Sequence, residues 1–479
     1  MSEKWLVLKF GGSSVRGIEQ WRSIAERIAE RRAEGYRVLL VCSAVQGVTD
    51  LLQDISRSPA DESLQTQFTE RHQRLASELD IAGDEWISKA SQRVARLTSD
   101  LQAAPSPAKT AELLALGEWL STRLGWVFLQ KSMAVEWVDA LGLLEVKPDP
   151  ERSERRQWLA ADCQPGADAA LLTGLNGCGP VVITQGYIAR MPSGGTALLG
   201  RGGSDTSAAL LGGRIGAERV EIWTDVPGLF SADPRVIPQA RLLCRLDYAE
   251  ALEMAASGAC VVHARCIRAA SETRTPLWIR DTGRPILAGT QIDGHSTERE
   301  GAKAAVCQKG MAVLLLQNID PRQQVGFLAW VFNVIAGRGI SIDLVATSET
   351  TTTVALNREA NHLGAEDLCG LADELRQRCK VDIHADCVTV NIVGRGVRTT
   401  LSGLGEAFAR FENAPLLMVS QSANDLCLSL LVKRGDEQEL LRAAHRALIQ
   451  HTTDDELFGP SWEELEAGDR EFAVAGGRV

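Results

Sequence analysis

The 479-residue chain has eleven cysteines but no Cys-x-x-Cys pair. Their odd total and scatter from Cys42 to Cys427 fit reduced thiols rather than a disulfide framework. The seven histidines show no metal-ligand spacing, so no protein-held metal is expected. No apolar run approaches the roughly 20 residues needed to span a bilayer. The opening Met1-Ser2-Glu3-Lys4-Trp5 lacks the basic and apolar regions of a signal peptide, which predicts a cytoplasmic protein. Cations are outnumbered, with Lys+Arg 51 against Asp+Glu 62 and a net charge of −11, which argues against a nucleic-acid or anionic-membrane surface. The expected partners are small molecules and protein. Neither G-x-x-x-x-G-K-[ST] nor G-x-G-x-x-G occurs, so P-loop, protein-kinase and Rossmann readings lose ground.

What is present is a globular composition, 45% hydrophobic and 24% charged, in a chain too long for one core. An apolar run at Trp5–Leu8, the pair Gly11-Gly12 and a helical face of Trp21, Ile24, Ala25, Ile28 and Ala29 read as strand, turn and helix. The run Val38–Val41, a polar turn at Ser43–Gly47 and a further amphipathic stretch repeat that order. Val135–Val138, Val181–Thr184, Val220–Trp223 and Leu277–Ile279 are further strand candidates, and Leu113–Leu129 reads as one long helix. This pattern predicts an α/β domain with a mostly parallel sheet between helices.

The polar tract Gly289–Gly301 marks a domain end near residue 298. Beyond it, Ala312–Leu316, a helix bearing Val325, Leu328, Ala329, Phe332, Ile335 and Ala336, then Ile340–Ala346 and Thr352–Leu356 give a β-α-β-β order. The order recurs in Val388–Val393, a helix with Leu401, Leu404 and Phe408, Leu416–Val419 and Leu426–Val432. A period of roughly 75 residues predicts two related small modules.

Three segments can carry chemistry. Lys9-Phe10-Gly11-Gly12-Ser13-Ser14 lies between a strand and a helix, where glycines admit phosphate oxygens to backbone N–H groups and lysine neutralises charge. Such a glycine pair also serves simply as a turn. Gly200-Arg201-Gly202-Gly203-Ser204-Asp205-Thr206-Ser207 opens a small-residue helix as a second anion cradle, with Asp205 placed to organise metal or the lysine; the other reading is a loop capped by Ser204 or Asp205. Trp223-Thr224-Asp225-Val226-Pro227-Gly228-Leu229-Phe230, continuing to Asp233-Pro234-Arg235, is turn chemistry that could hold a nucleotide.

Together these segments resemble the aspartokinase family of the amino-acid kinase superfamily, through its K-F-G-G-[TS]-S, G-R-G-G-S-D, W-T-D-V-P-G and D-P-R elements. Ile279–Ile292 is similar to the family's closing kinase segment. The resemblance implies a three-layer α-β-α kinase domain over 1–298, two α+β ACT modules over 299–385 and 386–455, and a tail or linker over 456–479. It implies transfer of the ATP γ-phosphoryl group to the side-chain carboxylate of L-aspartate, with Mg²⁺ on the phosphates. By position, Lys9 and Asp205 would be the catalytic pair, and Ser43, Thr49, Glu118, Arg201 and Ser204 would line the aspartate site. Gly11, Gly12, Ser13, Gly202, Gly203, Thr224, Asp225, Phe230 and Arg235 would face the nucleotide. Gly326, Leu328, Ser341, Asp343, Thr347, Ser348 and Glu349 resemble the effector site of lysine-inhibited members, which implies L-lysine as effector and a homo-oligomer joined through the ACT modules. Leu457–Trp462 is similar to the aspartokinase half of fusions with diaminopimelate decarboxylase, fused or separate.

This sequence departs from the family at three positions. Cys260 stands where a nucleotide-side lysine is usual, Ala264 where the His-Pro pair has proline, and Phe230 where tyrosine is usual. These changes predict a high KM for ATP, and keep open a catalytically weak amino-acid sensor. A kinase for N-acetylglutamate is the other alternative; Glu118 argues against it, because an acetylated amine carries no charge to pair with.

Overall fold

The computed structural model describes residues 3–259, 261–295, 300–318, 325–405, 416–452, 454 and 456–468. They form two compact units, one holding the described residues of 3–229, 244–248 and 261–295, the other those of 230–243, 249–259 and 300–468.

The first unit is built on an eight-stranded sheet in the order Glu136–Trp137, Val181–Gln185, Arg37–Cys42, Trp5–Phe10, Val220–Thr224, Leu277–Asp281, Thr290–Asp293, Arg245–Asp247. All neighbours run parallel except Leu277–Asp281 against Thr290–Asp293. The central strands are apolar on both faces because helices cover both. On one side Leu6, Leu8 and Phe10 share a core with Trp21, Ile24 and Ile28 of the helix Ile18–Ala33 and with Leu116, Leu120 and Leu124 of the helix Leu116–Leu129. On the other side the helix Gly203–Arg214 lies close on the sheet, where a methyl group added at Gly212 would meet Val220 at 2.4 Å. This is the expected three-layer α/β architecture.

Two expectations for this unit need adjustment. Leu113–Leu129 is not one helix: Pro107–Leu114, started by Pro107 with Ser106 as its cap, ends at Ala115, and Leu116–Leu129 follows directly. The strand expected at Val135–Val138 is only Glu136–Trp137, a half-exposed edge of the sheet.

The second unit carries a six-stranded antiparallel sheet, in the order Leu344–Thr347, Thr351–Asn357, Ala304–Asn318, Cys379–Val393, Cys427–Lys433, Met418–Gln421. The β-α-β-β order is seen in the first half, and in the second the strands Cys379–Val393, Met418–Gln421 and Cys427–Lys433 follow the same order while the stretch 406–415 lies outside the described residues. The two halves are joined through two shared 15-residue strands, Ala304–Asn318 and Cys379–Val393. Their pairing shifts register around Met311, which marks the passage between modules. The helices Phe327–Gly337 and Ala365–Leu375 bury Val331, Ile335, Leu371 and Leu375 against Leu314, Leu316, Val354 and Leu356. Val325 lies outside its expected helix and is exposed, and the strand expected at Ile340–Ala346 is limited to Leu344–Thr347. Leu401 sits exposed in a short 3₁₀ helix, Val397–Ser402, while Phe408 lies outside the described residues.

The stretch expected as a tail from 456 begins as folded structure. Phe458–Ser461 pairs with Arg241–Leu243, and Arg241 donates to the carbonyls of Thr452, Phe458 and Gly459 at 2.8, 2.7 and 3.0 Å. Leu457 and Phe458 are buried, so the apolar effect explains why this stretch is not a free linker. Inside the same unit Lys303 and Glu250 form a buried ion pair at 2.6 Å. Among the described residues no helix is long and apolar enough to cross a membrane.

Candidate active site

In a parallel sheet the carboxyl ends of the strands form a common rim, and ligands bind there. The expected site residues of the first unit fall on that rim. Lys9 is the penultimate residue of Trp5–Phe10, Ser43 follows Arg37–Cys42, and Thr224 ends Val220–Thr224 with Asp225 next to it; Gly186-Tyr187, not among the expected residues, follow Val181–Gln185 on the same rim.

Backbone bonds hold these turns together. The Ser43 amide donates to the Phe10 carbonyl at 3.1 Å, that of Gln46 to Gly12 at 3.2 Å, and that of Gly186 to Cys42 at 2.9 Å. Gly12 must be glycine here, since a Cβ would stand 2.9 Å from the Ala44 carbonyl oxygen. Gly202 must be too: its φ is +66°, and a Cβ would stand 2.4 Å from that of His263.

Two helices start at this rim without any side-chain cap, Val48–Arg57 after Gly47 and Gly203–Arg214 after Gly202. The Val48 and Gly203 amides already donate to the Val45 and Gly200 carbonyls, both at 2.9 Å, so it is the N–H groups of the residues that follow them in each first turn that an anionic ligand would use. The capping role open to Ser204 or Asp205 is not taken up. By contrast, His263 caps the neighbouring helix Ala264–Thr273, its Nδ1 accepting from the Arg265 amide at 3.2 Å. Ala264 takes the first helical position, where proline is also at home.

Lys9 and Asp205 form an ion pair, both nearly buried. Asp205 arrives from the first turn of Gly203–Arg214, so strand end and helix start meet at this pair. Thr49 stands in the first turn of the other uncapped helix. Arg201 is exposed and has no ion-pair partner among the described residues, which leaves its guanidinium free to grip a carboxylate.

Glu118 is the most perturbed acid of the unit. It is buried in the helix Leu116–Leu129, and its Oε2 has no hydrogen-bond partner. Burial pushes its pKa up to about 8, against the pull of the Ala44 amide. A buried carboxyl without a cation beside it stays protonated near neutral pH. An ammonium group delivered next to it would ionise it.

Reading the sequence missed Tyr187. It adopts φ +71°, unusual for a bulky residue, and its amide donates to Ser207 Oγ at 2.9 Å while its carbonyl accepts from the Leu199 amide at 2.8 Å. Its ring packs so close to Gly203 that a Cβ there would meet it at 2.4 Å. The position just after a parallel strand was the available signal.

The other expected residues are distributed as follows. Thr224 Oγ1 donates to Asp225 at 3.1 Å, and the Thr224 carbonyl accepts from the Thr282 amide and hydroxyl, both at 2.9 Å. Phe230 and Arg235 belong to the second unit: the Phe230 ring is buried edge-on against Trp462 at 5.6 Å, and Arg235 pairs with Asp233 at 2.8 Å. Cys260 lies outside the described residues. Of the two arginines that could substitute for it, Arg265 is already engaged by the Leu199 and Ala161 carbonyls and by Asp162, whereas Arg268 is exposed and has no ion-pair partner among the described residues.

The expected effector residues surround one end of the six-stranded sheet. Gly326, at φ +83°, precedes the helix Phe327–Gly337, which presents the partly exposed Leu328. The Ser341 amide donates to Asn361 at 2.7 Å, Asp343 accepts from the Asn357 amide at 2.7 Å, and the Ser348 and Thr351 hydroxyls meet at 2.8 Å. Thr347 contacts Thr352 at 3.3 Å, and Glu349 follows in the same turn. Burial raises the Asp343 pKa.

Residues 4–281 match the family model described as "Amino acid kinase family". The chain is 29% identical over 458 residues to lysine-sensitive aspartokinase 3 of Escherichia coli, covering 93% of this chain and 99% of that one. It is 26% identical to the aspartokinase of Schizosaccharomyces pombe, covering 94% and 93%. It spans 56% of a bifunctional aspartokinase/homoserine dehydrogenase from Haemophilus influenzae, to which it is 28% identical. Among solved structures, E. coli aspartokinase III with aspartate and ADP matches with a TM-score of 0.77 at 28% identity, over 93% of this chain and 99% of that one. The same enzyme with lysine and aspartate matches with a TM-score of 0.75. With a glycine-lined strand rim, a lysine–aspartate pair on it and a family match over most of the first unit, the chain belongs to the amino acid kinase family.

Proposed function

We propose that the chain is an aspartate kinase, converting ATP and L-aspartate to 4-phospho-L-aspartate and ADP. The observation that carries this reading is the buried Glu118, whose Oε2 has no hydrogen-bond partner among the described residues and which the Ala44 amide holds beside the turn that follows the strand Arg37–Cys42. An acceptor with an α-ammonium supplies the charge Glu118 lacks. N-acetylglutamate cannot.

The nucleophile is a carboxylate with an ordinary pKa near ~4, ionised at neutral pH, so no general base is needed. Its oxygen attacks the γ-phosphorus, and the bond from that phosphorus to the bridging oxygen breaks, with the electron pair leaving on ADP. The protein's part is positioning and charge neutralisation. Arg201 holds the α-carboxylate, Glu118 the ammonium, and Ser43, Thr49 and Ser204 offer hydroxyls beside uncapped helix starts. Lys9, oriented by Asp205, faces the transferring phosphoryl group, whose negative charge it stabilises. Gly11, Gly12, Ser13, Gly202 and Gly203 shape the phosphate cradle, with Thr224 and Asp225 on the nucleotide side. Among the described residues no three metal-ligating side chains cluster, so Mg²⁺ would be held by the nucleotide's phosphates and water, whose charge it offsets.

Lysine is the proposed feedback effector, bound where Gly326–Leu328 and Ser341–Glu349 meet; a relative's structure with lysine supports this. Assembly through the second unit's sheet is proposed from its exposed edge strands, where Val345 and Val419 face solvent. A cytoplasmic setting and a diaminopimelate decarboxylase partner remain readings of the sequence alone. The catalytically weak sensor keeps one supporting observation, the engagement of Arg265 elsewhere.

An acyl phosphate reacts with hydroxylamine to give a hydroxamate. Incubation with ATP, Mg²⁺, L-aspartate and hydroxylamine should yield aspartyl hydroxamate in step with ADP. ADP without hydroxamate would refute carboxylate phosphorylation.

A further inference from the structure

The chain has eleven tryptophans and only three tyrosines. Four of them, Trp86, Trp119, Trp126 and Trp137, gather around Arg123 on the helices Asp84–Ala103 and Leu116–Leu129 and the adjoining edge strand. The Arg123 guanidinium carbon lies 3.3 Å from the Trp137 ring centroid, 4.4 Å from Trp86, and 5.7 Å from both Trp119 and Trp126. Trp86 meets Trp119 and Trp126 edge-on at 5.9 and 6.3 Å. All four indoles and Arg123 are partly exposed, and the indoles pack on their inner side against the core of the unit, so the cluster forms the surface layer over that core.

The polar inventory of the cluster is one-sided. Trp126 Nε1 donates to the Val135 carbonyl at 3.0 Å and Trp137 Nε1 to Thr122 Oγ1 at 3.1 Å. The indole N–H groups of Trp86 and Trp119 and the Arg123 guanidinium have no acceptor among the described residues, and no carboxylate reaches Arg123 within ion-pair distance. Asp139 acts on it only at longer range. At the margin, Lys89 and Arg93 lie over Trp86 and Trp119 but are paired with Glu85 and Glu112. The unsatisfied groups at the centre are thus all donors, framed by apolar ring faces, and one carries a positive charge. Tryptophan and arginine are also the residue types that dominate binding energy at protein interfaces.

We propose that this cluster is a docking surface for another protein, and that its occupant is an acidic segment whose carboxylate is received by Arg123 between apolar side chains packed on the tryptophans. A carboxylate offers only acceptors and matches the planar guanidinium fork. The flanking apolar residues cover the ring faces that a free acid would leave wet.

The test uses the full chain and a capped hexapeptide of alternating leucine and glutamate, with a glutamine twin as control, followed by tryptophan fluorescence. The expected result is a saturable change with the glutamate peptide. Binding should weaken about tenfold or more with the glutamine twin, in Arg123→Gln and in Trp119→Ala, as loss of a charge-assisted bond or an anchoring ring predicts. Arg123→Gln should form ADP at the wild-type rate, which shows that it is folded. Four outcomes would overturn the proposal: no saturable change, equal binding by the glutamine twin, undiminished binding by Arg123→Gln, or the same response to sodium acetate at equal carboxylate concentration. Dissociation of the native oligomer by Arg123→Gln in sedimentation velocity would do so as well, by assigning the cluster to a second copy.

Discussion

The two units treat their polar groups in opposite ways. On the rim of the first unit, Glu118 is buried without a partner on Oε2, Arg201 stands free and two helix starts are uncapped. At the proposed effector end of the second unit, Ser341, Asp343 and Ser348 are already bonded to Asn361, Asn357 and Thr351. Unsatisfied groups wait for a ligand, whereas satisfied ones must exchange partners to accept it. The first arrangement suits a reaction in which binding and charge stabilisation are built in beforehand; the second suits a site whose occupancy is weighed against its own internal bonds.

The largest expected effect breaks the first arrangement. Lys9→Met should lower kcat by roughly a thousandfold, since it removes a charge that acts chiefly in the transition state, while circular dichroism keeps the wild-type fold and Tm falls because Asp205 loses its nearly buried partner. Retention of more than about a tenth of kcat would remove Lys9 from the mechanism.

Next comes Glu118→Gln, which should raise the KM for aspartate roughly ten- to a hundredfold, the loss of one charge-assisted contact, with little change for ATP. Here pH sharpens the comparison. The wild-type Glu118 pKa, pushed up to about 8, exceeds its unfolded value, so its ionisation disfavours the fold. Stability is fully present below the unfolded pKa and declines as pH rises toward about 8. Glu118→Gln should therefore gain Tm relative to wild type at pH 8 but not at pH 4. In the same range the wild-type KM for aspartate should fall with rising pH, because the ammonium binds the ionised form.

Much of this contrast was legible in the sequence, and the rest was not for physical reasons. Strands such as Val38–Val41 and Val181–Thr184 announce themselves by continuous apolar runs, since both faces are covered. Lys9, Asp205 and Gly202 were found because glycine-rich turns at strand ends leave a local signature. Tyr187 left only its place after the strand Val181–Gln185, because its strained backbone is imposed by Ser207 and Leu199 from elsewhere in the chain. Nor could spacing reveal that Ala304–Asn318 and Cys379–Val393 serve both modules, or that Phe230 packs on Trp462. Those are pairings between distant segments, invisible to a periodicity that reports only which face is apolar.

A smaller effect is expected at position 260. Cys260→Lys should lower the KM for ATP about tenfold, the value of one phosphate-directed charge-assisted bond, if with Arg265 engaged elsewhere the exposed Arg268 does not already supply the charge. An unchanged KM beside an ordinary wild-type value would show that another group supplies the charge, and would remove the support for a weak sensor. Smallest in basal turnover is Asp343→Ala, which should leave kcat within about twofold while raising the lysine concentration for half-inhibition several-fold. Inhibition unchanged by the substitution, or calorimetry showing no lysine binding to wild type, would refute the effector assignment.

The most direct measurement is ADP formation by the full chain at saturating ATP and Mg²⁺ with L-aspartate, with N-acetyl-L-glutamate and with no acceptor. Turnover should require L-aspartate, N-acetyl-L-glutamate should fall to the level without acceptor, and Glu118→Gln should narrow the gap by raising the KM for aspartate alone. ADP formation that is indifferent to the acceptor, or faster with the acetylated one, would contradict an active site organised around an ammonium beside Glu118.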